Sequence, residues 1–392
     1  MRTATPGALL VLIMAQPNMA TGMMPYYRHV WTLAPLLITV IFATYLFALA
    51  PALTVVGTPP TRSSWWWRIG VGAACGVGAD VTMALAHSPW VACGARVLSG
   101  LSVGLVTGSL AGLILERRGE RARTAVATAT VFGSAVGTFA AATVAQYLPA
   151  PGVVTYAGHA VLLTLAALVV FADRAEGLDA AHSTPQTPQA IGPALEPKAV
   201  GYLTGTAAWV SAGLTIALLP SYGAALLNTG NLALLALPVT LYVVSAWVVL
   251  QVIPPKTIPA EPVVAQVIIV AGVSLTLAVS WVHSLPLLLC GGIVAGCGQG
   301  LGYRAGLQIA SAATPPDQHA RATSRFAAVA YLFAAIATIA LGLIATVASM
   351  RDGVLAGTVI LAVLTVTTAL VRRRASSRAA DPALISQPTT TA

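Results

Sequence analysis

Arg96-Val97-Leu98-Ser99-Gly100-Leu101-Ser102-Val103-Gly104 lies inside an apolar run that extends from 89 to 115. A charged side chain at that depth in a bilayer costs about 2.5–3.5 kcal/mol on insertion scales. It is retained where it faces the interior of a helix bundle or a watery cavity. The glycines that follow it, one helical turn apart, let a neighbouring helix come close. An expensive charge on a closely packed helix points to a transport pathway rather than to an anchor.

The surrounding composition agrees. The chain has 392 residues, of which 57% are hydrophobic and only 8% charged, whereas soluble domains carry roughly 25% charged residues. Its mean hydropathy is +0.84. A polytopic membrane protein follows, and a soluble enzyme is excluded. Apolar runs continuous over about 20 residues imply helices, because barrel strands alternate over about 10. The expected fold class is an all-α membrane protein. The runs place twelve spans at 5–26, 30–56, 67–86, 90–115, 124–147, 153–172, 200–219, 232–251, 263–281, 286–312, 325–350 and 354–371. The N-terminal run is read as the first span and not as a signal peptide, since it continues without a small-residue cleavage site.

The net charge of +9 does not indicate nucleic acid, because the basic residues are spread over short loops. With a cytoplasmic N-terminus, the inside segments hold Arg62, Arg68, Arg117, Arg118, Arg121, Arg123, Arg174, Lys198, Lys256, Arg321, Arg325 and the tail arginines 372, 373, 374 and 378. Only Arg28 and Arg351 fall outside. That asymmetry expects both termini in the cytoplasm and a multi-pass protein of the inner (plasma) membrane. Cys75, Cys93, Cys290 and Cys297 all fall within spans and read as packed thiols rather than as disulfides or metal ligands.

The segment 173–199 is rich in Pro, Gln, Thr and Ala and lacks an apolar period, so it reads as a cytoplasmic linker. It separates a six-helix bundle over 1–172 from a second over 200–373, with a disordered tail over 374–392. The halves echo one another. Gly100, Gly104 and Leu105 recur at Gly296, Gly300 and Leu301, Pro59-Pro60 at Pro254-Pro255, and Ala122-Arg123 at Ala320-Arg321, with shifts of 195–198 residues. A near-constant shift that lands each time in the matching helix or loop expects two parallel repeats.

On these residues the chain resembles the major facilitator superfamily over nearly its whole length, and exporter-like members in particular. The best local matches are Arg96-x-x-x-Gly100-x-x-x-Gly104 with Glu120-Arg121-Ala122-Arg123, and Gly296-x-Gly298-Gln299-Gly300-Leu301-Gly302-Tyr303-Arg304 with Pro315-Pro316 and Ala320-Arg321. The resemblance implies a monomeric small-molecule carrier that works by alternating access, with a proton as the coupling ion of an antiporter. Two family motifs are altered. The loop after helix 2, normally Gly-x-Leu-x-Asp-Arg-x-Gly-Arg, keeps only Gly57 and Arg62 and has Thr61 in place of the acid. In the fifth-helix antiporter motif, Gly133-x-x-x-Gly137 is followed by Thr138 where proline is usual.

The resemblance also implies that helices 1, 4, 7 and 10 line the cavity. Arg96 and Arg304 lie on two of these helices, toward opposite ends. The bland alternatives are a structural ion pair or carbonyl clamp for Arg96, and snorkelling to the surface for Arg304. Asp80 is the one acid well inside a span, at about the depth of Arg96. An Asp80–Arg96 pair and a proton site are both open, and His159 is the other titratable candidate. Helix 1 offers neutral Gln16-Pro17-Asn18 where exporters of cationic drugs often carry an acid. A neutral or anionic amphipathic substrate is therefore expected. Tyr45, Trp209, Tyr242 and Gln299 complete the candidate pathway, and the glycines at 100, 104, 133, 137, 296 and 300 are expected at helix contacts. No cofactor is expected, and no nucleotide motif, metal-ligand cluster or nucleophile–base set supports an ATP-driven pump or an enzyme. Efflux is the leading expectation. The rivals are a metabolite importer or facilitator, and a transport-inactive receptor or assembly protein.

Overall fold

A computed structural model describes residues 5–56, 62–118, 122–176, 197–253, 261–312, 314–315 and 318–379. The described residues form twelve long helices: α1 (Thr5–Val30), α2 (Pro35–Val56), α3 (Arg62–Ala84), α4 (Pro89–Arg118), α5 (Ala122–Tyr147), α6 (Pro151–Glu176), α7 (Lys198–Leu227), α8 (Leu232–Val252), α9 (Pro262–Val282), α10 (Leu285–Ser311), α11 (His319–Val347) and α12 (Met350–Ala379). Eleven of them are long and apolar enough to cross a membrane. The exception is α3, which carries Arg68 and Asp80.

Helix starts follow local chemistry. Proline, whose missing N–H costs nothing at a first turn, opens α2, α4, α6 and α9. Asn231 caps α8 by accepting from the Leu234 N–H at 3.0 Å. The expected boundaries need correction at several ends. α3 begins at Arg62, so the Trp65-Trp66-Trp67 run is helical, and α11 begins at His319. α6 and α7 run into the expected linker, to Glu176 and from Lys198, and α12 continues through 374–379 of the expected tail. The added turns carry residues such as Arg62, Arg174, Glu176, Lys198 and Arg374, which continue a helix without continuing its apolar run.

The largest correction is in α7. The span extends past Leu219 to Leu227, through a π turn at Leu214–Leu218. Pro220 follows that turn and has no N–H to give the Ile216 carbonyl, so the helix is forced out of its i→i−4 register there.

The two halves pack alike. In the first, α1 lies on α5, α3 on α4, α2 on α4 and α3 on α6. In the second, α7 lies on α11, α9 on α10, α8 on α10 and α9 on α12. The halves meet through the matching pairs α2–α11 and α5–α8, as two parallel repeats related by a pseudo-two-fold axis require. The most apolar windows of α1 and α7 are each 72% buried, against 33% for α6 and 22% for α12. α1 and α7 are thus central, and α3, α6, α9 and α12 present exposed Val, Leu and Trp to the surroundings, including Val71, Leu165, Val267 and Val363.

The glycine ladders sit at the crossings. A β-carbon on Gly100 would strike the Tyr45 carbonyl and Ala48 of α2, and one on Gly104 would strike Ala52. In the second half Gly296 meets the Tyr242 carbonyl and Gly300 the Ala246 carbonyl of α8. Gly133 and Gly137 lie against Val11 and Ala15 of α1.

Three hydrogen bonds that join the halves lie at the face opposite the Thr5 end of α1 and the Ala379 end of α12. Arg28 Nη1 donates to the Ser221 carbonyl at 3.3 Å, the Leu36 N–H to Thr346 Oγ1 at 2.8 Å and the Leu232 N–H to Gln146 Oε1 at 2.7 Å. Nearby, Gly342 of α11 is pressed against Thr39 of α2.

Candidate functional site

The buried Asp, Arg and His side chains among the described residues are Arg68, Asp80, Arg96 and His159, all in the first half. Three of them share one neighbourhood around the middle of α1.

Arg96 is 4% exposed, and among the described residues no carboxylate lies within ion-pair distance of it. Its Nη1 donates to the Pro17 carbonyl of α1 at 2.7 Å, and its Nε to the Ile41 carbonyl of α2 at 3.4 Å. The guanidinium carbon lies 4.6 Å from the centre of the Tyr45 ring. Carbonyl dipoles and an aromatic face thus replace water around this charge. The Asp80–Arg96 ion pair, one of the open alternatives, is not formed; the bonds of Arg96 to two carbonyls tie α4 to α1 and α2.

Asp80 pairs with His159 instead. Asp80 Oδ2 lies 2.6 Å from His159 Nδ1, and His159 Nε2 lies 3.1 Å from the Leu12 carbonyl. α3 packs on α6 as well as on α4, so His159 is within reach of Asp80, and pairing the two costs less than burying each alone. Asp80 Oδ1 is buried without a hydrogen-bond partner. Gln16 faces Asp80 from α1, and its Oε1 accepts from Ser99 of α4. Leu12, Gln16 and Pro17, within six consecutive residues of α1, are therefore gripped by His159, Ser99 and Arg96.

The second half supplies aromatic rings to the same level. Tyr331 of α11 packs with Tyr45 against the same apolar core and meets Trp209 of α7 edge to face at 4.3 Å between ring centres. Trp209 meets Tyr303 at 6.0 Å, Tyr303 meets Phe326 at 5.5 Å, and Phe326 meets Tyr202 at 6.0 Å. A row of rings thus leads from Arg96 across the junction into the second half. The Trp209 indole N–H has no acceptor among the described residues. Of this row, Tyr45 and Trp209 were expected; Tyr202, Tyr303, Phe326 and Tyr331 were not. Their signal in the sequence, aromatic residues on three helices that the topology brings together, becomes readable only with the packing known.

The remaining expected residues lie elsewhere or differently. Tyr242 is 2% exposed and shares a hydrogen bond with Ser211 Oγ at 2.9 Å, which joins α8 to α7. Asn18 turns back on its own helix and donates to the Met14 carbonyl at 2.8 Å. Gln299 is half-buried on α10. Arg304 donates to the Ile253 carbonyl at the end of α8 at 2.8 Å, far along α10 from the level of Arg96. Gly57, Thr61 and the Glu120-Arg121 pair lie outside the described residues, and Arg62 is the first residue of α3. No group of three or more metal-ligating side chains occurs among the described residues.

Comparison with known proteins places the architecture. No family model matches the sequence, and no curated protein matches it. Solved structures do match in three dimensions. A variant of the nucleoside transporter NupG superposes with a TM-score of 0.72 at 13% identity, over 95% of this chain and 100% of that one. A bacterial homologue of the human lysosomal transporter Spinster, in an inward-facing and occupied conformation, gives 0.72 at 10% identity, over 95% and 96%. The same homologue, inward-facing and unoccupied, gives 0.65 at 11% identity.

Proposed function

We propose that this chain, which has the fold of the major facilitator superfamily and is a multi-pass membrane protein, is a secondary transporter of a small, amphipathic, non-cationic organic molecule. The observation that carries the reading is the division of labour between two like-folded halves. The first half holds the buried charge and the second the aromatic row, and the two meet where Arg96, Tyr45, Tyr331 and Trp209 follow one another. Rings of this kind suit a flat organic ligand, and the unpaired Trp209 N–H suits one with an acceptor at its edge. The acid of this region, Asp80, is already occupied by His159, which leaves no uncompensated carboxylate there to attract a cation.

The charge asymmetry of the loops supports a cytoplasmic location for both termini. In that orientation the three hydrogen bonds between the halves close the outer face, and the arrangement is inward-facing. Transport then proceeds by rocking of one half on the other about α2–α11 and α5–α8. Proton coupling and efflux are the finer parts of the reading, and a lone chain acting as a monomer is sufficient for them. The fold shared with NupG favours one further reading, a carrier of a nucleoside-like metabolite with a planar heterocycle.

The test is transport by purified protein in proteoliposomes. A panel of lipophilic anions, neutral heterocycles and cations is offered, with pH gradient and voltage imposed separately. Flux of neutral or anionic members that follows the pH gradient supports the reading. Flux confined to cations, or none for any member, contradicts it.

A further inference from the structure

We infer that Asp80 and His159 together form a single-proton site, and that loss of its proton releases the grip of Arg96 on α1. The inference rests on the transporter reading for its purpose, but not for its chemistry.

The proton count follows from the donors and acceptors. The Leu12 carbonyl only accepts, so the His159 Nε2 that faces it at 3.1 Å carries a hydrogen. On the other side, Nδ1 and Asp80 Oδ2 stand 2.6 Å apart. Two lone pairs do not approach so closely, so a hydrogen lies between them. The pair is then either imidazolium with carboxylate or imidazole with carboxylic acid. Both descriptions contain the same protons and have zero net charge. His159 is 6% exposed and Asp80 0%, so neither is compensated by water.

One proton can leave this pair. Its departure to a water or another base leaves a buried carboxylate beside a neutral imidazole that keeps a single N–H, with a net charge of −1. Such a charge is costly until it is paired. The groups around it are few. Gln16 faces it from α1, Tyr156 lies beside it on α6 with Tyr27 of α1 behind, and Arg96 on α4 is the full positive charge that shares Tyr156 as a neighbour. With the proton present the cluster holds +1, all of it on Arg96. Without the proton it holds zero, and the attraction between Arg96 and Asp80 competes with the Pro17 carbonyl. Asp80 Oδ1, buried and unpartnered, is the atom that receives a new donor. Because Gln16 and Pro17 are adjacent on the central helix, a change of partner by either alters how α1 is held. A proton bound between α3 and α6 thereby biases the position of α1 without standing in the substrate path.

The experiment uses the full chain in lipid, with histidine labelled in the ring nitrogens, and needs no substrate. The six histidines are resolved by comparison with His159→Gln. Nitrogen NMR from about pH 5 to about pH 9 is expected to show the His159 ring nitrogens responding to the loss of one proton from the pair, with the response absent or displaced in Asp80→Asn. Spin labels at Gly7 on α1 and Gly94 on α4, two positions with open space around them, in a cysteine-free background, are expected to change separation over the same titration. A His159 signal that does not change with pH, or that titrates identically in Asp80→Asn, overturns the proton site. Titration with no change in label separation overturns the release of α1. If the variants fail to fold, sequential backbone assignment of the wild-type protein identifies the His159 ring, so the wild-type titration still decides the first point. Neither outcome depends on transport, so failure here and failure of the carrier reading are separately visible.

Discussion

Arg96 of α4 donates to the carbonyl of Pro17 on α1 at 2.7 Å, and that bond makes the charge part of the frame between helices rather than a free group in a cavity. Hydrogen bonds to charged groups are worth about 1.5–3 kcal/mol each. Arg96→Ala removes two of them and the contact with Tyr45, and is expected to lower thermal stability clearly and to reduce transport at least tenfold. Arg96→Lys, which delivers one point donor in place of a planar fork, is expected to recover part of the stability and little of the transport. Thermal unfolding in detergent and initial transport rates check both.

Asp80 and His159 form a contact pair, so their substitutions should not add. Asp80→Asn and His159→Ala are each expected to destabilise, and the double variant to fall short of the sum by about 0.5–3 kcal/mol. Strict additivity in thermal or denaturant unfolding contradicts the pairing.

The glycine at 104 has a steric reason and the glycine at 94 does not. A side chain at Gly104 meets Ala52 of α2, whereas nothing lies within 4 Å of a β-carbon at Gly94. Gly104→Val is expected to cost about 1–3 kcal/mol by overpacking. Gly94→Ala is expected to be neutral or slightly stabilising, since alanine is the better helix former by about 0.5–1 kcal/mol. Yield of monodisperse protein and melting temperature report the difference.

Trp209 separates ring packing from hydrogen bonding. Trp209→Phe keeps a ring against Tyr331 and Tyr303 but deletes the unpaired N–H. If that N–H meets a polar ligand edge, KM rises about tenfold, the equivalent of 1.4 kcal/mol, with little change in stability. Trp209→Ala is expected to impair both. Concentration dependence of uptake, measured beside thermal unfolding, distinguishes the two effects.

Much of this architecture is readable from the chain. Twelve apolar runs, two halves and the glycine repeats around Gly100 and Gly296 reflect local rules that do not need the packing. What was not readable depends on pairing across helices. Asp80 and Arg96 share a depth, and a sequence gives depth but not azimuth. Only the α3–α6 contact reveals that His159, 79 residues away, faces Asp80 from the other side. Likewise Pro220 marks a break within an apolar run, but whether the helix ends there or continues through a π turn is decided by the helices packed around it. The aromatic row is of the same kind, with members spread from Tyr45 to Tyr331.

The closure between Leu36 and Thr346 gives the most direct test of alternating access by this chain. Their 2.8 Å hydrogen bond brings the two backbones within the roughly 4.4–6.8 Å between Cα atoms that a disulfide spans. Cysteines at both positions, in a background without the four native cysteines, are to be oxidised in proteoliposomes during counterflow of a panel ligand that raises the melting temperature. The account predicts transient overshoot of labelled ligand in the reduced protein, its abolition on oxidation and its return with reductant. Absence of overshoot in the reduced protein, or overshoot that persists with the disulfide formed, would contradict it.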